Sequence, residues 1–261
     1  MYGRGGAQMS FGPPQTPEVI KNLLIANLVV FIAQIAGPRF FGVDVSTFLT
    51  VSPGTVWERF ELWRMFTYMW LHAGLLHIAM NMFMLWMFGS ALALIWGEER
   101  FMKYYLLCGT GAGFLIATLP SLLGLLGIAS TWLDIWVPTL GASGAVMGIV
   151  LAYSFTWPDR TIMLLFPPIP IKAIYIIPLM FLIEFASSGP YDNVSHTGHL
   201  AGVLVGWIYL VNEGRTPGAP TPQTLLLKFR RWRMRQKIRA VHREDQRERQ
   251  RRDDDDRGRF H

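Results

Sequence analysis

The sequence predicts an all-α membrane protein built as a bundle of six transmembrane helices. Of its 261 residues, 51% are hydrophobic, and the mean hydropathy is +0.29. A soluble domain of this length could not bury so much apolar surface. The apolar residues also fall into long runs, and one helical crossing of a bilayer needs about 20 residues. One such run could be a buried core helix, but six indicate membrane spans.

Six apolar runs between helix breakers define the predicted spans. They cover residues 19–37, 73–96, 101–125, 140–156, 170–187 and 195–212. The residues before the first span are rich in Gly and Pro. They lack the basic-then-apolar order and the small-residue cleavage site of a secretory signal, so they predict a disordered leader. The expected domains are a leader at 1–18, a six-helix membrane domain at 19–213 and a basic cytoplasmic tail at 214–261.

The segment between the first two spans, residues 38–72, mixes charged residues with aromatic ones such as Trp57, Trp63 and Phe66. This mixture is typical of structure that lies half in the headgroup layer of a bilayer. We therefore expect an interfacial segment rather than a solvated loop.

The tail is basic from Lys228 to Arg239 and then carries an acidic block, Asp253 to Asp256. Positive charge beside a span favours the cytoplasmic side, and an even number of spans then puts both termini inside. The expected location is the cell (inner) membrane of a prokaryote. The basic stretch faces anionic lipid or water in this interpretation, and since no recognition motif accompanies it we expect no nucleic-acid partner.

Polar residues that are costly in hydrocarbon lie in the second, fourth and sixth spans. With both termini inside, these spans all begin at the outer face, so their first halves share one depth. The polar residues there are His77, Asn81, Ser143, His196 and His199. His77 and Asn81 are four residues apart and project from one face of their helix.

Ser143 and His199 are the candidate catalytic pair. Gly141 and Gly144 flank the serine, and because they have no side chains they leave its hydroxyl uncrowded. A helix start also offers free N–H groups to an oxyanion. His199 would be the general base. Because no carboxylate is placed beside His199, a Ser–His dyad is the simpler hypothesis.

Glycines spaced four apart indicate which helices touch. Gly144 and Gly148 mark one face of the fourth span, and Gly198, Gly202 and Gly206 mark one face of the sixth. Such faces allow two backbones to approach closely in lipid, which would bring His199 towards Ser143.

The segments ELWRMFTYMWLH, HAGLLHIAMN, GASGAVMG and SHTGHLAGVLVG resemble the rhomboid intramembrane serine proteases over roughly residues 20–212. The resemblance implies a serine endopeptidase without a cofactor that cuts transmembrane segments of other membrane proteins. It implies Ser143 as nucleophile, His199 as base, and His77 with Asn81 in the oxyanion hole. It also implies helix-destabilised substrates and a lateral gate at the fifth helix and residues 187–195.

Two positions differ from the family's usual pattern. Met147 stands where the family often has a tyrosine that stacks on the base. Ala93 stands four residues after Gly89, where the family commonly has a glutamate.

The same residues also fit other interpretations. An isolated GxSG motif usually marks only a small residue at a helix start, and the two histidines His72 and His196 are more often structural than catalytic. A metal or haem site could use these two together with His77 and His199, although the single cysteine, Cys108, excludes a cysteine zinc site. A transporter with broken helices would explain the prolines at 167, 168 and 170 and the intramembrane Glu184.

Overall fold

The computed structural model describes residues 12–127, 135–164, 167–187 and 196–214, with residues 216, 221, 223–224, 226–227, 229–235 and 238 of the tail. Most of this part of the chain is helical, which confirms the predicted all-α class. The helices up to the middle of the chain are α1 (Glu18–Ala36), α2 (Ser46–Leu49), α3 (Pro53–Trp57), α4 (Arg64–Thr67), α5 (Leu75–Met84) and α6 (Ser90–Trp96). Those that follow are α7 (Glu98–Leu125), α8 (Ser143–Thr156), α9 (Ile176–Ser187) and α10 (His196–Glu213).

Two π-helical segments occur in the region of the first two predicted spans. Gly37–Phe41 continues α1, and Leu85–Gly89 joins α5 to α6. Within the described residues, three helical segments are long and apolar enough to cross a membrane: Glu18–Phe41, Leu75–Trp96 and Glu98–Leu125. Shorter apolar helices cover Ser143–Thr156 and Ala173–Ile183.

The outer face of α1 shows why this bundle needs a lipid environment. Its large apolar side chains are more than half exposed, namely Ile25, Leu28, Val29, Ile32 and Ile35. Soluble proteins rarely leave so continuous an apolar stripe uncovered. Together with the three spans, this stripe identifies an integral membrane protein.

The interfacial segment contains α2, α3, α4 and a short 3-10 helix, Tyr68–Trp70. Its aromatic side chains Phe40, Phe41, Phe60 and Trp63 are exposed. The buried guanidinium of Arg64 donates to the carbonyls of Thr47 and Thr50, both at 2.8 Å, and also pairs with Glu61. This arginine therefore satisfies two backbone carbonyls at the C-terminal end of α2.

A β-hairpin precedes the fifth apolar helix. The sequence predicted that this helix begins at residue 170, but residues 170–172 form a strand. Strands β1 (Thr161–Met163) and β2 (Pro170–Lys172) pair antiparallel, and a 3-10 helix, Ala173–Tyr175, leads into α9. A proline at 170 has no N–H for a helical bond, whereas an edge strand tolerates it. The prolines offered for a broken transporter helix thus belong to this hairpin region. The side chain of Glu184 and residues 188–195 of the predicted gate loop, 187–195, lie outside the described residues.

The centre of the fold is the packing of α7, α8 and α10. A Cβ atom added at Gly148 would lie 2.6 Å from Sγ of the buried Cys108, and one at Gly206 would lie 3.3 Å from the Cα of Gly148. A Cβ at Gly202 would overlap the carbonyl of Gly144. The two glycine faces predicted from the sequence therefore meet, backbone against backbone.

An ion pair ties the end of α10 to the start of α7. Nε of Arg100 lies 2.9 Å from Oε1 of Glu213, and the guanidinium sits 3.9 Å from the ring centroid of Trp96. Both charged side chains are largely buried. Tyr209 also donates to Glu213, at 3.3 Å.

The chain divides into two compact units, Met1–Ala219 and Pro220–His261. The first unit holds all the helices named above. The domain boundaries predicted at 18 and 213 stay a prediction, and most of the leader lies outside the described residues.

Replacing Gly202 with Ala should lower stability by about 1–3 kcal/mol, because the added methyl group meets the Gly144 carbonyl and the two backbones must separate. The thermal unfolding midpoint of the purified protein in detergent would fall accordingly. Gly124→Ala in α7 is the matched control, since no atom lies within 4 Å of its added Cβ. Equal midpoints for the two variants would contradict the close contact of α8 and α10.

Candidate active site

The site is built around the start of α8. Gly141 has φ +131°, a conformation that disfavours any side chain, and its N–H donates to the carbonyl of Tyr68 at 3.0 Å. Because of this turn, α8 begins at Ser143, three residues later than predicted. Ser143 is consequently the first helical residue and is half-buried.

The N–H groups at this helix start have no side-chain acceptor from the N-cap residue, Ala142. The first N–H groups of a helix lack intrahelical partners and carry the positive end of the helix dipole. The N–H groups of Ser143 and Gly144 are therefore suited to stabilise negative charge developing beside the serine.

His77 approaches the same turn from α5. A Cβ atom built on Gly141 would lie 3.0 Å from Nε2 of His77 and 3.7 Å from Oγ of Ser143, so both atoms border one small space. The other ring nitrogen, Nδ1, accepts the backbone N–H of Ala73 at 3.3 Å. An accepting Nδ1 places the proton of the neutral ring on Nε2, which makes that atom a hydrogen-bond donor facing the space.

Asn81 lies one turn beyond His77 and is buried. Its side-chain amide donates to the carbonyl of His77 at 3.0 Å, which fixes the amide on this face of α5. An amide nitrogen has two hydrogens, so one donor remains for another acceptor.

His199 reaches the site because of the glycine contact between α8 and α10. A Cβ atom at Gly144 would lie 3.2 Å from the carbonyl oxygen of Gly198, so the neighbours of Ser143 and His199 are in direct contact. His199 is half-buried and interacts electrostatically with His77. The structure thus places His77, Gly141 and Ser143 around one space, with Gly144 next to Ser143. His199 follows the contact residue Gly198, and Asn81 lies one turn along α5 from His77.

Two backbone groups that position the site could not be predicted from the sequence. The carbonyl of Tyr68 holds the Gly141 turn, and the N–H of Ala73 sets the tautomer of His77. Both act through the backbone, which any residue type provides, so no residue pattern could have signalled them. Tyr68 also donates its hydroxyl to the carbonyl of Gly109, at 2.8 Å.

Four histidines are the predicted ligands of the alternative metal or haem site. In the described part of the chain, no three His, Cys, Asp or Glu side chains are grouped to hold a metal ion. His72, His77, His196 and His199 all belong to that part, so they do not form a three-ligand metal site there. Met147 is buried one turn after Ser143.

His72 is buried beside the site. Its ring makes an edge contact with His77, with centroids 5.2 Å apart, and its backbone N–H donates to Gln34 at 2.9 Å. Burial, and then the neighbouring His77, lower the pKa of His72 from 6.5 to about 4. His72 is therefore neutral at physiological pH.

Comparison with known proteins gives a consistent result. The Rhomboid domain family model matches residues 59–215, more than half of the chain. Rhomboid protein 1, mitochondrial, of Saccharomyces cerevisiae is 30% identical over 145 residues, 52% of this chain and 38% of that protein. Presenilin-associated rhomboid-like protein, mitochondrial, of Homo sapiens is 30% identical over 146 residues, 53% and 35% of the two chains. Rhomboid protease GluP of Bacillus subtilis is 29% identical over 147 residues, 56% and 25%. The matched stretch thus spans about a third of the length of these relatives.

Gly141→Ala should slow the reaction of Ser143 with a fluorophosphonate by roughly a hundredfold or more, because the methyl group would displace the His77 ring and strain the turn. Gly42→Ala is the control: Gly42 also has a positive φ, +66°, but no atom lies within 4 Å of an added Cβ. Equal labelling rates for the two variants would show that His77 does not depend on the Gly141 turn.

His72→Phe should flatten the dependence of unfolding free energy on pH between about 4 and 6.5. Over that range unfolded His72 binds a proton and folded His72 does not, so its contribution makes stability fall as pH falls. The slope lost is at most about 1.4 kcal/mol per pH unit. Unfolding of both proteins in detergent at several pH values measures it, and parallel profiles would contradict the lowered pKa.

Proposed function

This chain belongs to the rhomboid family, and from that membership and the geometry of its site we propose that it is an intramembrane serine endopeptidase. In this proposal it cleaves transmembrane segments of other membrane proteins with a Ser143–His199 dyad. The single observation that carries it is the space beside Gly141, which is bordered by both Oγ of Ser143 and Nε2 of His77.

The reaction is an acyl transfer. Oγ of Ser143 attacks the carbonyl carbon of the scissile peptide bond while the imidazole of His199 accepts its proton. The tetrahedral intermediate collapses when His199 returns that proton to the leaving amine. Water then hydrolyses the acyl-enzyme by the same steps, with His199 as base, and releases the new carboxyl end.

The oxyanion of the intermediate falls among several donors. They are Nε2–H of His77, the remaining amide hydrogen of Asn81 and the N–H groups at the start of α8. These donors are held in place before substrate arrives, which lowers the cost of reorganisation during the reaction. No metal or other cofactor takes part in the proposed steps.

The substrates are single transmembrane helices with small or helix-destabilising residues at the cut. A peptide bond within a regular helix has its carbonyl bonded four residues on and its carbon screened by side chains. Local unwinding is needed before Ser143 can attack. Helix α9 and residues 187–195 are the proposed lateral gate through which such a segment enters.

We place the protein in the cell (inner) membrane of a prokaryote with both termini in the cytoplasm. The basic tail after α10 supports this orientation, since positive charge beside a span is retained inside. Its partners are then the transmembrane substrates and membrane lipid, without nucleic acid.

Labelling with an activated phosphonate tests the roles of the site residues. Ser143→Ala should abolish labelling, and His199→Ala should nearly abolish it, because a serine hydroxyl without a base is a weak nucleophile. Asn81→Ala removes one of several oxyanion donors and should slow labelling by up to roughly a hundred to a thousandfold, with completion still reached.

Cleavage of a labelled transmembrane substrate by the reconstituted protein, wild type against Ser143→Ala, is the companion assay. Undiminished labelling or cleavage by Ser143→Ala would end the serine-protease proposal. An Asn81→Ala protein that labels at the wild-type rate would remove only Asn81 from the site.

A further inference from the structure

The net positive charge of the chain comes from one short segment, residues 221–240, which we call the basic segment. Its basic residues are Lys228, Arg230, Arg231, Arg233, Arg235, Lys237 and Arg239, and it contains no Asp or Glu. The whole chain has a net charge of +6. The seven charges of the basic segment therefore exceed the net charge of the protein, and the rest of the chain sums to −1.

The described residues of the basic segment combine this charge with exposed apolar surface. Residues 223–224, 226–227, 229–235 and 238 are helical. At least half of the surface of each large apolar side chain is exposed, namely Leu226, Leu227, Phe229, Trp232, Met234 and Ile238. The four arginines at 230, 231, 233 and 235 are exposed among them.

Aromatic and basic side chains alternate on this helix. The rings of Phe229 and Trp232 stack with centroids 5.8 Å apart and an interplanar angle of 29°. Trp side chains favour the boundary between headgroups and acyl chains, and long Arg side chains can extend from that depth to phosphates. A surface with anionic headgroups above an apolar layer satisfies both kinds of side chain, whereas water satisfies only the arginines.

We propose that the basic segment binds the anionic phospholipid headgroups of the leaflet at which α10 ends, with its aromatic side chains inserted beneath the phosphates. The segment follows the last residue of α10 by seven residues in sequence, so it is tethered to a membrane-spanning helix. Anionic lipid in the cytoplasmic leaflet attracts juxtamembrane Lys and Arg additively, and seven such residues without an opposing carboxylate give a strong attraction. This inference does not depend on proteolysis.

Nucleic acid is the other polyanion that a run of arginines with aromatic neighbours can bind. Lipid is the better match because aliphatic Leu226, Leu227 and Ile238 are exposed together with the aromatic rings. Aliphatic side chains gain by leaving water for acyl chains but do not stack on bases.

A single fluorophore tests the proposal in the full-length protein. Met234→Cys introduces a thiol for labelling. The natural cysteine, Cys108, does not compete for the dye because it is fully buried. The Ser143→Ala background keeps the result separate from any protease activity. The chain, labelled with an environment-sensitive dye, is placed in nanodiscs of phosphatidylcholine alone or with about 30% phosphatidylglycerol, an anionic lipid.

We expect the dye emission to shift to the blue in the anionic discs relative to the neutral ones. The shift should be lost at about 1 M NaCl, where screening limits electrostatic attraction to roughly 3 Å. It should also be lost when four arginines of the basic segment are replaced together, Arg230→Gln, Arg231→Gln, Arg233→Gln and Arg235→Gln. The matched control removes the same charge from the following residues, Arg247→Gln, Arg249→Gln, Arg251→Gln and Arg252→Gln, and should keep the shift.

Identical emission in the two kinds of disc would overturn the proposal, as would equal loss of the shift in the two quadruple variants. A short RNA added to the neutral discs distinguishes the other polyanion. Binding of that RNA through the same four arginines, with no response to lipid composition, would assign the basic segment to nucleic acid instead.

Discussion

The contact of two backbones at Gly144 and Gly202 is the constraint on which the site depends. In a bilayer, helices gain little by burying apolar side chains against each other, since lipid tails solvate those side chains equally well. Association relies instead on close packing, and the missing side chains of these glycines let α8 and α10 approach more closely than any other residue would allow. Ser143 is next to Gly144, and His199 is next to Gly198, whose carbonyl also faces Gly144. The packing that joins the helices therefore also places these two residues.

Polar groups in the bundle are the second constraint, because an unsatisfied N–H or carbonyl in hydrocarbon costs several kcal/mol. The hydroxyl of Tyr104 donates to the carbonyl of Gly148 at 2.7 Å, and that of Tyr68 donates to the carbonyl of Gly109. Tyr68 also accepts the N–H of Gly141 through its own carbonyl. The start of α8 beside Ser143 has no side-chain cap, so its first N–H groups lie where an anionic intermediate would need donors.

Much of this arrangement could be predicted from the sequence. Apolar runs and four-residue glycine spacing depend on side-chain type, so they indicated the three long spans and the contact of α8 with α10. The count of six spans and the shared membrane depth of His77, Ser143 and His199 stay predictions. The β1–β2 hairpin was missed because Pro-rich apolar sequence fits either a span end or a short edge strand. The start of α8 at Ser143 and the tautomer of His77 were beyond reach, since backbone groups of distant residues set both.

Contacts far from Ser143 also help to fix the position of His199. Met147 cannot offer an aromatic face to the imidazole of His199, as the tyrosine common in the rhomboid family does, so ring stacking from that position is not available to orient the imidazole. The position of α10 is instead fixed at both ends. Near its start, Gly198 and Gly202 lie against Gly144, and at its end Glu213 pairs with Arg100 above Trp96. A rotation or slide of α10 would have to break a largely buried charge pair, which is costly because each charge would be left without its partner. The ion pair therefore helps to hold His199 in register with Ser143 from the opposite end of the helix, as the proposed dyad requires.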